Sequence, residues 1–303
     1  MFEMSEKTGV AIIFFNRPST LKRVFEAVCQ AKPKNLFLIQ DGSRGEEDEE
    51  KIKKCREIVE KIDWDCNVYK NYSDVNLGCG KRPQTGISWV FEHVERAIIL
   101  EDDCVPQNSF FRFCDELLEK YADDKRVLMI SGLNPFENIE RSEDYFFAMN
   151  GSIWGWATWR RAWSLYDYTA SKIKDEKIQE NILRMEPKYV AKRDISHLLE
   201  TNRKVTNSEK ISYWDHQWRL VKFIYHNVCI IPKRNLINNI GDVDATHPGQ
   251  GKCEFHNMST GELQFPLKHP NQIMIDYHYD DVYYQAFCPT RWMRIKKRFF
   301  KKR

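Results

Sequence analysis

The sequence predicts an α/β protein built on a mostly parallel, twisted sheet with helices on both faces. Three observations point there. Over the first 130 residues, short apolar runs alternate with amphipathic helical stripes. The connections between runs are short, which favours parallel pairing through crossover helices. Three polar clusters, Asn16-Arg17, Asp41-Gly42 and Glu101-Asp102-Asp103, close three of the runs. Ligands of open α/β sheets bind beyond those carboxyl ends of the strands.

The elements follow in order. Val10 to Phe15 is an apolar run that stops at Asn16-Arg17-Pro18. Proline fixes φ and has no N–H to satisfy, so Pro18 fits a turn just ahead of a helix. Leu21, Val24, Phe25 and Val28 then recur at i, i+3, i+4 and i+7, one face of that helix. Leu36 to Ile39 reads as the second strand, closed by Gln40-Asp41-Gly42. A charged helix is expected over 47–62, with Ile52, Cys55, Val59 and Ile62 on one side. Cys66 to Tyr69 reads as a third strand. The stretch NYSDVNLGCGKRPQ reads as a loop, followed by a helix over 85–94. Ala97 to Leu100 is a fourth strand running straight into Glu101-Asp102-Asp103. A helix over 109–121 and a strand, Val127 to Ser131, come next.

Residues 140–250 are less regular. Trp154, Trp156, Trp159 and Trp163 fall within ten residues, four of the nine tryptophans of the chain. Most are expected to pack a joint between the two halves of the molecule. Trp154 or Trp156 is the better candidate for a flat apolar platform under a ligand. A polar helix over 172–202 is expected, and Tyr213-Trp214-Asp215-His216-Gln217-Trp218 opens another. Residues 241–261 carry four glycines and little apolar content, and read as a mobile loop.

Length gives a prior of about two domains. The organisation expected is a sheet-forming half over 1–130, a second half over 131–260, an extension over 261–290 and a tail over 291–303. Hydrophobic residues at 42% and charged residues at 30% allow a sizeable core and exclude disorder over most of the chain. Apolar runs reach only about five residues, whereas a membrane-spanning helix needs roughly 20. The opening MFEMSEKTGV lacks a basic region followed by an apolar core, so no signal peptide is expected. Nine scattered cysteines without a Cys-x-x-Cys pair speak against a disulfide framework and a thiolate zinc site.

The net charge of +3 hides an asymmetry. Eight Lys and Arg and no acid lie in the last thirteen residues, RWMRIKKRFFKKR, so the preceding 290 carry −5. Trp292, Phe299 and Phe300 interleave these cations. That composition suits attachment to an anionic membrane surface, at about 1 kcal/mol per basic residue near it. A nucleic-acid partner is not expected, because the acidic body offers no second basic face.

Adjacent carboxylates at a strand end form a hard-oxygen site. Mg²⁺ or Mn²⁺ binds through one or two carboxylates plus substrate phosphates. Asp103, alone or with Asp102, suits that role, and the metal would neutralise a diphosphate leaving group. No G-x-G-x-x-G follows the first strand and no P-loop signature occurs, which weakens NAD-dependent and P-loop readings. Arg17, Lys81 and Arg82 are cations on the same edge, able to face a diphosphate.

Strand-Asn16-Arg17-Pro18, strand-Gln40-Asp41-Gly42, Asn76-Leu77-Gly78, and strand-Glu101-Asp102-Asp103 with Pro106 and Phe110-Phe111 form an ordered set. With Trp214-Asp215-His216-Gln217-Trp218, the set resembles GT-A-fold glycosyltransferases, closest to the N-acetylglucosaminyltransferase I family. With WGWATWRRAW it also resembles bacterial glycosyltransferases of surface-polysaccharide clusters. The resemblance covers roughly residues 8–250. The Trp-Asp-Asp-Trp segment of the family is matched except at its second acidic position, which leaves Asp215 as the acid there.

The resemblance implies the GT-A nucleotide-diphospho-sugar fold and an inverting, metal-dependent hexosyl or N-acetylhexosaminyl transfer. The donor would be a nucleotide-sugar, UDP-linked, and the acceptor a glycan or lipid-linked oligosaccharide at the cytoplasmic face of the membrane. The half over 1–130 would bind the donor and that over 131–260 the acceptor. Asn16, Arg17, Lys81 and Arg82 would line the donor site, and Asp41 would bind the uracil. Glu101 and Asp102 would contact ribose and sugar hydroxyls, and Asp103 would bind Mn²⁺ or Mg²⁺. His247 would be a second metal ligand or meet the diphosphate. Asp215 would be the general base, a role worth about 10²–10⁴-fold. A sugar nucleotidyltransferase, or a non-catalytic glycan-binding protein on the same fold, remains an alternative.

Overall fold

The computed structural model describes residues 2–242 and 254–289. His247 and the tail over 291–303 lie outside the described residues. The chain begins with β1 (Thr8–Phe14), α1 (Pro18–Ala31), β2 (Asn35–Gln40), α2 (Glu46–Val59), β3 (Asn67–Tyr72) and α3 (Gly78–His93). It continues with β4 (Arg96–Glu101), β5 (Cys104–Pro106), α4 (Asn108–Lys120), β6 (Val127–Ser131), β7 (Tyr145–Ala148) and β8 (Trp156–Trp159). The last part comprises α5 (Arg160–Trp163), α6 (Glu176–Met185), α7 (Lys188–Thr206), α8 (Asp215–Tyr225), β9 (Val228–Pro232), β10 (Ile237–Asn239) and α9 (Tyr277–Phe287).

Eight strands form one sheet in the order β3-β2-β1-β4-β8-β6-β9-β7. β3, β2, β1 and β4 pair in parallel, as do β6 and β9; β8 and β7 run antiparallel. This is the α/β architecture expected from the sequence. Side chains alternate across the pleat. Val10, Ile12, Leu36, Leu38, Ile98 and Leu100 pack one face under α1, α2 and α4. Ala11, Ile13, Phe37, Ile39, Ala97 and Ile99 pack the other against Ile87, Val90 and Phe91 of α3. The sheet continues across residue 130, since β6 lies between β8 and β9.

Several expectations are corrected. The helix expected from Thr85 starts at Gly78. Glycines and Pro83 disguise its first turns, and the cap comes from far away: Asp41 accepts from the backbone N–H of Leu77 and Gly78, each at 2.8 Å. The single polar helix over 172–202 is two helices, broken where Glu186-Pro187 interrupts the ladder. Residues 140–250, read as irregular, contain β7 to β10; β7, β8 and β9 are short and buried on both faces, so they show no alternation. The described part of 241–261 is tied down rather than loose: Asn257 N–H donates to Asn239 O, Gly261 N–H to Asn235 O, and Phe255 is buried.

Trp156, Trp163, Trp214 and Trp218 pack together within one core. Trp156, at 1% exposure, is therefore no platform for a ligand. A smaller core holds α6, α7 and α8 through Ile182, Ala191, Leu198, Leu220 and Phe223. Two buried ionic clusters fasten α8 further. Arg219 bridges Glu186 and Asp194. Lys222 donates to Met149 O and Asn150 Oδ1, while Asp280 of α9 accepts from the same two residues. Burial pushes the Lys222 amine down to about 8, and Arg219 adds to that.

Candidate functional site

A cleft of about 860 Å³ opens at the carboxyl ends of β1, β2 and β4. Its walls include Arg17, Asp41, Glu101, Asp102, Asp103 and Asp215, so the structure gathers most of the sequence-predicted residues in one place. Parallel pairing of β1 with β2 and β4 brings the first three polar clusters to one edge. Because β8 runs antiparallel to β4, with Ile99 opposite Trp156, the segment preceding β8 reaches that edge too. Ile153 and Trp154 thereby line the cleft.

The floor is strongly acidic. Arg17 Nη2 bonds Asp102 Oδ1 and lies 3.0 Å from Asp103 Oδ2. One guanidinium thus pairs with two carboxylates, and Glu101 is a third acid in the cluster. Burial opposes the charge on Arg17, but Asp102 and Asp103 outweigh it and raise its pKa. Burial, then Asp103 and Asp102, push the Glu101 carboxyl up to about 8. Asp102 is raised by burial against the pull of Arg17. The cluster is short of positive charge, which is what a divalent cation supplies.

The fit of a hard cation can be tested on the backbone. β10 pairs antiparallel with β5, placing Asn239 opposite Cys104, and Ile240 N–H donates to Asp103 O at 2.9 Å. Gly241 follows. A Cβ there would sit 2.5 Å from Asp103 Oδ2, so only glycine leaves that oxygen uncovered. Among the described residues no three His, Cys, Asp or Glu side chains converge as a full cage. Asp103 with substrate phosphates is the arrangement hard divalent ions adopt without one. The residues fit such a metal.

Other predicted residues behave differently. Asn16 turns away from the cleft and donates to Asp48 at 2.6 Å. Lys81 is exposed and lies over the Tyr168 ring at 4.7 Å, outside the cleft wall. Arg82 lines the cleft but is held by Gln40 O and by Asn71, whose carbonyl and amide oxygens it meets at 2.5 and 2.9 Å. Asp41 lines the cleft with its carboxylate already accepting three backbone N–H groups, from Gly42, Leu77 and Gly78. Asp41 thus both caps the start of α3 and lines the cleft.

Asp215 is the first residue of α8, half-buried in the cleft wall. The N-cap is Trp214, with no side-chain cap, so the carboxylate of Asp215 is not consumed by capping. The flanking Trp214 and Trp218 face the core and fix the helix end. Opposite, the backbone of 211–213 lies against the start of α3. A Cβ on Gly80 would meet Ile211 O at 2.2 Å and Tyr213 N at 3.0 Å. Gly80→Ala is expected to cost about 1–3 kcal/mol by forcing those backbones apart. Gly261→Ala, whose new methyl meets only ordinary contacts from 3.4 Å, should stay within about 0.5 kcal/mol. Urea midpoints compare the two, and equal midpoints would remove this close approach as a constraint.

Sequence reasoning missed Arg44, Asp242 and His256, which also line the cleft. Arg44 pairs with Asp48 and stacks on Phe15. His256 pairs with Asp242 and sits 5.1 Å from the Trp154 ring. The late-loop histidine at this cleft among the described residues is thus His256; the residue chosen from sequence, His247, lies outside them. The β5–β10 pairing, across more than 130 residues, brings the segment of Gly241 and Asp242 to the cleft beside Asp103.

No protein-family model matches the chain, and no curated protein matches it. Two solved structures of LgtC are similar to it, each 10% identical and covering 72% of this chain and 70% of the other. One is an active-site mutant of LgtC, with a TM-score of 0.37. The other is described as the galactosyltransferase LgtC in complex with donor and acceptor sugar analogues, with a TM-score of 0.36.

Proposed function

We propose that the protein is an inverting GT-A-type glycosyltransferase that moves a sugar from a UDP-linked donor to a glycan or lipid-linked acceptor. The observation that carries this reading is the meeting of two kinds of acid in one cleft. A cation-hungry cluster, Glu101-Asp102-Asp103 with Arg17, lies at the end of β4, and a separate carboxylate, Asp215 at the start of α8, lines the same cleft near enough to Glu101 to help raise its pKa. The first suits a nucleoside diphosphate and the second suits a hydroxyl.

In the reaction, Asp215 takes the proton of the acceptor hydroxyl as that oxygen bonds to the anomeric carbon. The bond from that carbon to the diphosphate oxygen breaks on the opposite face, and nucleoside diphosphate leaves with the electron pair. Mn²⁺ or Mg²⁺, held by Asp103 and the phosphates, would offset the charge of the leaving group. Asp41 would bind the base, while Glu101 and Asp102 would contact ribose and sugar hydroxyls. Trp154 offers a flat apolar face at the acceptor end, supported by its place beside His256.

The bacterial surface-polysaccharide role, and attachment to an anionic membrane through residues 291–303, belong to the same reading. They rest on the sequence resemblance and on the composition of the tail. Among the described residues no helix is long and apolar enough to cross a membrane.

A panel of nucleotide-sugars with and without Mn²⁺, followed by nucleoside diphosphate release and thermal shift, tests the proposal. The wild type should release UDP from one donor in a Mn²⁺-dependent way. Asp103→Ala should lose at least tenfold in Mn²⁺-dependent stabilisation and in turnover. If no nucleotide stabilises the fold and no donor is cleaved, the reading fails.

A further inference from the structure

Arg17 is the least expected member of the acidic floor. Its backbone belongs to the start of α1: Leu21 N–H donates to its carbonyl at 3.1 Å, and Thr20 Oγ1 at 3.2 Å. Pro18 follows directly and fixes the helix entry. The main chain is therefore pinned, and only the long side chain is free to change partner. That side chain spans both carboxylates, with Nη2 on Asp102 and Asp103 and Nε within 3.4 Å of Asp102 Oδ2. The side chains of Arg17, Asp102 and Asp103 are only 11%, 5% and 12% exposed.

The contact with Asp103 matters most. Asp103 Oδ2 is the oxygen that Gly241 leaves uncovered, and it is the oxygen the guanidinium touches. A divalent cation and a guanidinium on the same carboxylate oxygen would be like charges in contact, in a recess where water screens them poorly. One must yield. A bare divalent ion gains little by displacing a bidentate arginine. A nucleoside diphosphate alters the balance, because its phosphates are partners for the arginine fork as well as for a metal.

We propose that Arg17 is an exchangeable counter-cation. Without donor its guanidinium occupies Asp102 and Asp103, and when metal and diphosphate enter together it passes from Asp103 to the phosphates. This inference rests on the proposed donor class and adds an order of events to it. The protein binds free divalent ions weakly, and nucleotide and metal strengthen one another's binding, each by the same factor. Arg17 keeps a buried, like-charged cluster paired between turnovers, when unpaired carboxylates would be costly.

The probes are Mn²⁺ alone and Mn²⁺ with UDP, titrated calorimetrically into wild type, Arg17→Gln and Arg17→Lys. Arg17→Gln should bind Mn²⁺ at least tenfold more tightly than wild type when no nucleotide is present. UDP should tighten Mn²⁺ binding more in the wild type than in Arg17→Gln, a comparison that cancels the affinity of UDP itself for Mn²⁺. Arg17→Lys, a point charge unable to span both carboxylates, should fall between. It also keeps the test decisive if Arg17→Gln folds poorly, as does a gain in melting temperature of either variant on adding Mn²⁺. Mn²⁺ affinity in the variants equal to or below wild type overturns the exchange, and so does failure of every form to bind Mn²⁺. Tight Mn²⁺ binding by Arg17→Gln with no donor cleaved by the wild type would leave the exchange standing and sink the transferase reading, so the two failures are distinct.

Discussion

Asp215→Asn is expected to transfer sugar about 10²–10⁴-fold more slowly than the wild type while holding UDP and Mn²⁺ as tightly. The amide keeps the size of the carboxylate and removes its ability to accept the acceptor proton. Its cost in stability should be small. Asp215 stands in the first turn of α8, where a negative charge is worth about 0.3–1 kcal/mol against the helix dipole. The cap belongs to Trp214 and the helix is fixed by Trp214 and Trp218 in the core, so the fold does not depend on the carboxylate. Initial rates, nucleotide affinity and melting temperature measured on one preparation separate the effects. Full transfer activity in Asp215→Asn would remove Asp215 from its role, and a loss confined to UDP binding would move it to the donor side.

The second large effect is on stability. Arg219→Ala should destabilise the protein by about 3–5 kcal/mol, the range for removing one partner from a buried ionic cluster. Arg219 serves Glu186 and Asp194 together, whose side chains are 0% and 3% exposed. Its loss leaves Glu186, which already has an oxygen without a partner, without its ion pair, while Asp194 keeps Arg193. Among the described residues, the donors to the Glu186 carboxylate are Arg219 and the Tyr284 hydroxyl, the latter at 3.2 Å. The deficit carries a pH signature. Burial raises the Glu186 pKa even against Arg219 and Lys222. The folded state thus holds this proton more readily than the unfolded chain. That contribution is fully present below the ordinary carboxyl pKa and fades as pH rises through the folded value. Without Arg219 the folded value climbs further, so the deficit should be smaller at about pH 5 than at about pH 8. Urea unfolding at the two pH values reads this directly, and an equal deficit at both would detach Glu186 from the effect.

What the sequence makes legible follows from how local each signal is. β1, β2 and β4 are apolar runs, and α1 shows its stripe, so the N-terminal half of the sheet and its three polar strand ends are readable residue by residue. The acidic floor is readable because Glu101, Asp102 and Asp103 are adjacent. Partners across long separations are not. Nothing near Gly78 announces that Asp41 caps it, so the start of α3 reads as loop. Asn16 and Arg17 are neighbours with the same apparent role, yet one amide turns to Asp48 and the other side chain to Asp102 and Asp103. The tryptophans look alike as a cluster, and only the antiparallel register of β8 assigns Trp156 to the core and Trp154 to the cleft. Asp242 and His256 reach the site through the β5–β10 pairing, which has no short-range signature.

The anchoring of α8 has a consequence for how such a site can diversify. Within nine residues the helix places Trp214 and Trp218 in the main core, Arg219 in one ionic lock and Lys222 in another. Asp215 sits at the tip of this cantilever. Any shift of the carboxylate would have to disturb apolar packing and two charge clusters together, so its position is overdetermined. The rim residues Ile153, Trp154 and Tyr213 carry no comparable set of buried charges. Substitutions there can reshape what enters the cleft while the Asp215 carboxylate stays where it is. The molecule thus divides a stiffly mounted carboxylate from an editable doorway to the cleft.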